Sequence, residues 1–192
     1  MRIDDLSIVH GAALVRLEDD AFSAAVMRGR VFSVANQVGV TSQAGLSGTT
    51  PVLTLPNPAG SGVNCKIWYA GASFTVAFAT AGAVFVAVGT NPVAAAVTGT
   101  LTTAHRNMKL GGGGPMVVPM LASTLPAAPV AIGILGVGLT GAITVSLALQ
   151  TLERWYNGAL VVTPGTNLTI QTGVASGASG TFCEFIWEEE DE

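Results

Sequence analysis

Apolar and polar residues alternate with period two over several short stretches. Across residues 64–69, Cys65, Ile67 and Tyr69 oppose Asn64, Lys66 and Trp68. Across 74–80, Phe74, Val76 and Phe78 oppose Thr75, Ala77 and Ala79. Val84, Val86 and Val88 share a face, and Leu168 and Ile170 alternate with Thr169 and Gln171. Over 142–152, Ile143, Val145, Leu147 and Leu149 alternate with Thr144, Ser146, Ala148 and Gln150. Successive strand side chains point to opposite faces, so each stretch predicts a strand, and 181–187 reads as the last one. Between them lie Asn57-Pro58-Ala59-Gly60, Asn91-Pro92, Asn157-Gly158, Thr163-Pro164-Gly165 and Ser176-Gly177, all turn chemistry. Short strands, Gly/Pro turns and no alternating helices predict an all-β fold. Long spacings between some strands favour an antiparallel β-sandwich of jelly-roll type over a meander, spanning residues 31–187.

Residues 1–30 have a different character and read as an N-terminal arm. Glu18, Asp19 and Asp20 precede an Ala-rich run that ends at Arg28-Gly29. Acids at the start and a glycine stop predict a short helix over residues 18–28. At the other end, Glu188-Glu189-Glu190-Asp191-Glu192 is a run of five acids. Mutual repulsion predicts a solvated acidic tail over residues 188–192 that does not pack.

Charge is scarce and unevenly placed. Only 10% of the 192 residues are charged, against about 25% in an average soluble domain. High hydrophobicity with so little charge excludes a disordered chain, and a net charge of −4 excludes a strongly nucleic-acid-binding surface. Between Val31 and Cys183 the only charged residues are Lys66, Arg106, Lys109, Glu153 and Arg154. Such a body must wet its surface with Thr, Ser, Asn and Gly or hide it against copies of itself or a partner; closed cyclic symmetry would cover open sheet edges, and the expected assembly is a homotrimer. Glu153 beside Arg154 reads as a local charge pair. Cys65 and Cys183 make no disulfide framework and read as buried thiols. Acids near the first Met argue against a secretion signal, so synthesis in a reducing cytoplasm is expected.

The mean hydropathy of +0.56 raises a membrane-embedded alternative. Residues 130–149 have the length of a spanning helix. Their later half alternates as a strand, Gly133, Gly136 and Gly138 interrupt the earlier half, and no basic cluster flanks them, so no membrane partner is expected.

Other motifs do not carry chemistry. Gly136-Val137-Gly138-Leu139-Thr140-Gly141 spells a dinucleotide fingerprint, but the sequence after it alternates as a strand instead of opening a helix. Its glycines suit a bend, a bulge or a close contact. The tetraglycine 111–114 lacks the Lys-Ser/Thr of a phosphate loop and reads as a mobile loop. Asn167-Leu168-Thr169 matches a glycosylation acceptor by chance. A hydrolytic triad would have to use His105 and Glu153, and two His and two Cys stand at no metal-ligand spacing. No catalytic residue, cofactor or metal site is assigned, and the chain is not read as an enzyme.

Three stretches carry a family resemblance. They are Ala25-Val26-Met27-Arg28-Gly29-Arg30-Val31-Phe32-Ser33 with Asn36-Gln37 and Gly39-Val40-Thr41; then Leu55-Pro56-Asn57-Pro58-Ala59-Gly60-Ser61-Gly62-Val63-Asn64; then Trp155-Tyr156-Asn157-Gly158, Pro164-Gly165 and a strand ending Phe185-Ile186-Trp187-Glu188-Glu189. In this order the chain resembles tailed-bacteriophage virion proteins of the jelly-roll head decoration, or cement, type. The resemblance implies an oligomeric, usually trimeric, body on the exterior of the capsid, made in the host bacterial cytoplasm, with no catalytic residues. The expected partners are further copies of the chain and the major capsid protein lattice. The arm is the expected capsid contact, through Ile3, Leu6, Ile8, Val9, Leu14, Val15, Arg16 and Leu17, which set apolar side chains among basic ones. The alternative within the virion is a fibre-tip or receptor-binding module.

Overall fold

The computed structural model describes residues 21–42, 44–76, 78, 80–138, 152–176 and 180–192. One short helix, α1 (Ala21–Met27), precedes eleven strands: β1 (Val31–Ala35), β2 (Leu53–Asn57), β3 (Val63–Phe74), β4 (Gly82–Thr90), β5 (Thr98–Leu101), β6 (Arg106–Asn107), β7 (Met120–Thr124), β8 (Val130–Gly138), β9 (Leu152–Val162), β10 (Thr166–Thr172) and β11 (Thr181–Asp191). A five-stranded sheet, β6-β1-β11-β3-β9, packs against a six-stranded sheet, β5-β7-β2-β10-β4-β8. Every strand pairing is antiparallel. The protein is therefore an all-β sandwich, as the alternation predicts.

The two inner faces make the core. Leu53, Leu55, Val84, Val86, Leu168 and Ile170 of one sheet meet Cys65, Ile67, Phe185 and Trp187 of the other, all fully buried. Asn57 joins the layers by polar means. Its Nδ2 donates to the carbonyls of Val63 and Val162 at 2.8 and 2.9 Å, and its Oδ1 accepts from the Ser61 hydroxyl at 2.5 Å. One side chain of β2 thus satisfies backbone groups of β3 and β9, where a buried unpaired carbonyl would be costly.

α1 ends as the sequence predicts. Gly29 has φ +74°, its amide bonds the Val26 carbonyl at 2.8 Å, and the Arg30 amide bonds the Ala25 carbonyl at 3.1 Å. This double reach-back, with a left-handed glycine after the last turn, closes the helix. Residues 18–20 of the expected helix lie outside the described residues, as does the whole arm before them.

Several expectations are corrected. The stretch 74–80 is not a strand: β3 ends at Phe74, Thr75 and Val76 are in a bend, and Phe78 forms only an isolated bridge. The rings of Phe74 and Phe78 meet edge to face at 4.8 Å. Asn157-Gly158 does not separate two strands. Both residues have positive φ, 50° and 77°, inside β9, where Trp155 to Leu160 passes alongside only Tyr69 to Ile67 of β3. They form a bulge that folds the excess residues outward. The acidic tail does pack: β11 continues to Asp191, paired with β3 through Asp191↔Val63. The strand expected over 142–152 lies outside the described residues, apart from Leu152, which begins β9. Among the described residues no helix is long and apolar enough to cross a membrane, which says nothing of crossing by strands.

Candidate association surface

The chemistry-bearing side chains are dispersed. His105 Nδ1 lies 2.9 Å from the Thr102 carbonyl, and Glu153 accepts a 3.2 Å bond from the Tyr69 hydroxyl. No group of three metal-ligating side chains occurs among the described residues. Cys65 and Cys183 are free and buried, and burial pushes both thiols well above the ordinary range, with Glu189 and Glu184 respectively adding to the shift. Asn167 is fully buried and donates to the Thr90 carbonyl, so its side chain is sealed from any modifying enzyme. The fingerprint glycines Gly136 and Gly138 lie at the end of β8, and the residues after them lie outside the described residues. Each makes room for a neighbour: a Cβ on Gly138 would sit 2.2 Å from the Phe78 ring, and one on Gly136 would sit 2.5 Å from Leu152. The tetraglycine loop is tethered, because Asn107 Nδ2 holds the Gly29 and Gly113 carbonyls at 2.7 and 3.0 Å.

The acids at the end of β11 have specific partners. Glu189 is buried, and its carboxylate accepts from the amides of Met116 and Val117 at 2.8 and 2.9 Å and from Trp187 Nε1 at 3.2 Å. Glu190 lies 2.5 Å from Lys66 Nζ and 3.7 Å from Arg30. Lys66 and Glu190 border a cleft of about 500 Å³ beneath α1, lined also by Arg28, Trp68 and Asn157. Phe22 of α1 covers the Trp68 ring edge to face at 5.0 Å.

The charge pair expected at Glu153 and Arg154 does not form. They are strand neighbours, so their side chains leave β9 on opposite faces. Glu153 points outward with Trp155, whose ring stacks edge to face on Tyr69 at 4.9 Å. Burial foremost, with the carboxylates of Glu184 and Glu153, holds the Tyr69 hydroxyl protonated well above its usual range. Arg154 turns the other way. Its guanidinium lies over the Tyr156 ring, 5.2 Å from the centroid, and against Gly133 of β8, where a Cβ would come within 2.8 Å of it. Gly133 thus lets a base from one sheet reach the edge strand of the other.

That edge carries the most extensive exposed apolar character in a regular element. On β8, Val130, Ile132 and Ile134 are 67%, 44% and 62% exposed; on β9, Trp155 and Val161 are 54% and 42% exposed. A groove of about 490 Å³ runs along the seam, lined by Val88, Val130, Ile132, Leu160 and Val161. Exposed contiguous apolar surface on a folded domain marks a place where something else sits. The expected contact residues Ile3, Leu6, Ile8, Val9, Leu14, Val15, Arg16 and Leu17 lie outside the described residues. The chain matches no family model, no curated protein and no solved structure.

Proposed function

We propose that this chain is a structural protein of a tailed-phage virion: a decoration, or cement, protein that associates in threes on the capsid exterior and stabilises the assembled head. Its body on this reading is a jelly roll. The observation that carries it is the strand order. Without β5, β6 and β7, which fall between β4 and β8 in the chain, the layers read β1-β11-β3-β9 against β2-β10-β4-β8. Early and late strands interleave in both layers, as two Greek keys do, and this architecture recurs in viral capsid and lectin domains. The charge-poor body and the apolar β8–β9 edge are consistent with a protein that spends its life packed against others.

A fibre-tip or receptor-binding module is the second reading, and the cleft beneath α1 favours it. Trp68, Asn157, Lys66 and Glu190 border that cleft and are the side-chain types that grip a sugar. The test mixes the purified chain with undecorated heads of the phage that encodes it. Saturable co-sedimentation and a raised head melting temperature are expected. Deleting residues 1–17 should abolish binding and leave the β-type spectrum intact. Failure to bind heads, with retention on a host-cell glycan surface, would replace the first reading with the second.

A further inference from the structure

We propose that the cleft beneath α1 binds an alkylammonium group, carried by a free amine or by a lysine side chain of a partner protein, with Glu188 as the acid that neutralises it. The inference stands apart from both virion readings above.

Strand alternation on β11 sends Trp187 into the core and Glu188 and Glu190 to the outer face of the sheet. There Glu188 lines the cleft and is only 5% exposed. Its carboxylate makes no hydrogen bond and no ion pair with a described residue. The acids that follow it are provided for. Glu189 has two backbone amides and Trp187 Nε1, and Glu190 has Lys66 and Arg30. Lys66 stands opposite Glu188 in the ladder with β3, but its Nζ goes to Glu190. A carboxylate withdrawn from water without a partner is costly. The cleft therefore holds an unmet negative charge.

The surroundings select the ligand. An ammonium neutralises that charge, whereas a hydroxyl would bond the carboxylate and leave the charge standing. An anion would be repelled by Glu188 and Glu190 together. Beside the acid, Ala24 and Ala25 of α1 supply methyl groups and Trp68 of β3 supplies an indole. Such a lining covers an aliphatic stem, and an indole also attracts a cation. A cleft of about 500 Å³ has room for a chain of lysine length. Arg28, the base of the lining that has no acid beside it, is exposed, so solvent screens its repulsion.

The test is calorimetric titration of the full chain with n-butylammonium chloride, n-butanol, methyl glucoside and a capped tripeptide centred on lysine. The amine and the peptide are expected to bind, and n-butanol and the Nζ-acetylated peptide are not. Tighter binding of the peptide than of n-butylammonium assigns the cleft to a partner's side chain, and the reverse order assigns it to a free amine. Glu188→Gln should weaken binding by at least about tenfold. Its melting temperature should be no lower than that of wild type, because the acid has no partner in the chain to lose. Ala24→Leu fills the cleft without touching a charge and should also abolish binding, which decides the matter if Glu188→Gln fails to fold. Glu192→Gln, at the exposed chain end, should bind as wild type does. Uptake that is equal in wild type, Glu188→Gln and Ala24→Leu is adventitious attraction to an acidic chain and would overturn the site, as would no uptake at all. Binding of methyl glucoside in place of the amine would also overturn it and return the cleft to the glycan reading.

Discussion

Glu189 Oε1 lies 2.9 Å from the Val117 amide, joining residues 72 positions apart. With the Met116 amide and Trp187 Nε1, it turns a buried carboxylate into the anchor of the loop that leads from β6 to β7. Glu189→Ala strands two buried donors, the Val117 amide and Trp187 Nε1, and the partly buried Met116 amide. Hydrogen bonds to charged acceptors contribute about 1.5–3 kcal/mol, so a loss of about 2–4 kcal/mol is expected in urea unfolding. Glu189→Gln, which keeps one acceptor oxygen, should lose less.

Removal of residues 188–192 should destabilise the fold by more than about 3 kcal/mol, because it deletes this anchor and the ladder from Glu188↔Lys66 to Asp191↔Val63. Thermal melting checks it. An unchanged midpoint would mean that the acids contribute nothing.

By contrast, Lys66→Ala should cost under about 1 kcal/mol. Its ion pair with Glu190 is one-third exposed on both sides, where solvent screens the attraction and long side chains resist ordering. Loss comparable to Glu189→Ala would contradict this ranking.

Gly138→Ala and Gly113→Ala form a matched pair. The new methyl at Gly138 meets the buried Phe78 ring, whereas nothing lies within 4 Å of a Cβ at Gly113. Overpacking predicts a loss of about 1–3 kcal/mol for the first and close to none for the second. Equal melting temperatures would refute the close packing at the end of β8.

The two thiols set an alkaline limit. Their native pKa values are raised by burial, while the unfolded thiols titrate near ~8.5. Below that pH their contribution to stability is fully present. Above it the unfolded chain releases protons that the native chain keeps, so stability falls as pH rises, by up to about 1.4 kcal/mol per pH unit for each thiol. Denaturation curves between pH 8.5 and 10 should show this slope, and Cys65→Ala with Cys183→Ala should flatten it. Thiol reagents should label native protein only through unfolding.

The sandwich was legible where one strand face meets the core and the other does not. Cys65 and Ile67 turn inward while Lys66 and Trp68 turn out, and the sequence alternates accordingly. The same rule misleads at Phe74 and Phe78, because a bend that tucks one ring onto another also places apolar residues at even spacing. Asn157-Gly158 advertises two left-handed residues, and a hairpin turn and a bulge require the same chemistry. Which one forms depends on β3 running along both sides. β5 is exposed along its length and shows no face to read. Glu189 was hidden because two of its three partners are backbone amides, which have no signature in sequence. The exposed apolar residues of β8 were not legible, because β8 carries apolar or glycine residues on both faces and does not declare which face is outside.

β11 lies between β1 and β3, so the middle of the five-stranded sheet is filled by the last of the described strands. Arg30 bonds the Glu189 carbonyl across 159 positions. During synthesis, β1 therefore waits, with only the two-residue β6 to pair with, while the intervening chain is made. At about 5–20 residues per second that interval is roughly ten to thirty seconds. Non-local pairing of this kind folds slowly. Throughout the wait, a β11 from a neighbouring nascent chain fits the gap as well as the chain's own does. Crowded translation on one message thus sets correct closure against strand exchange, and the yield of folded protein should fall as expression rate rises.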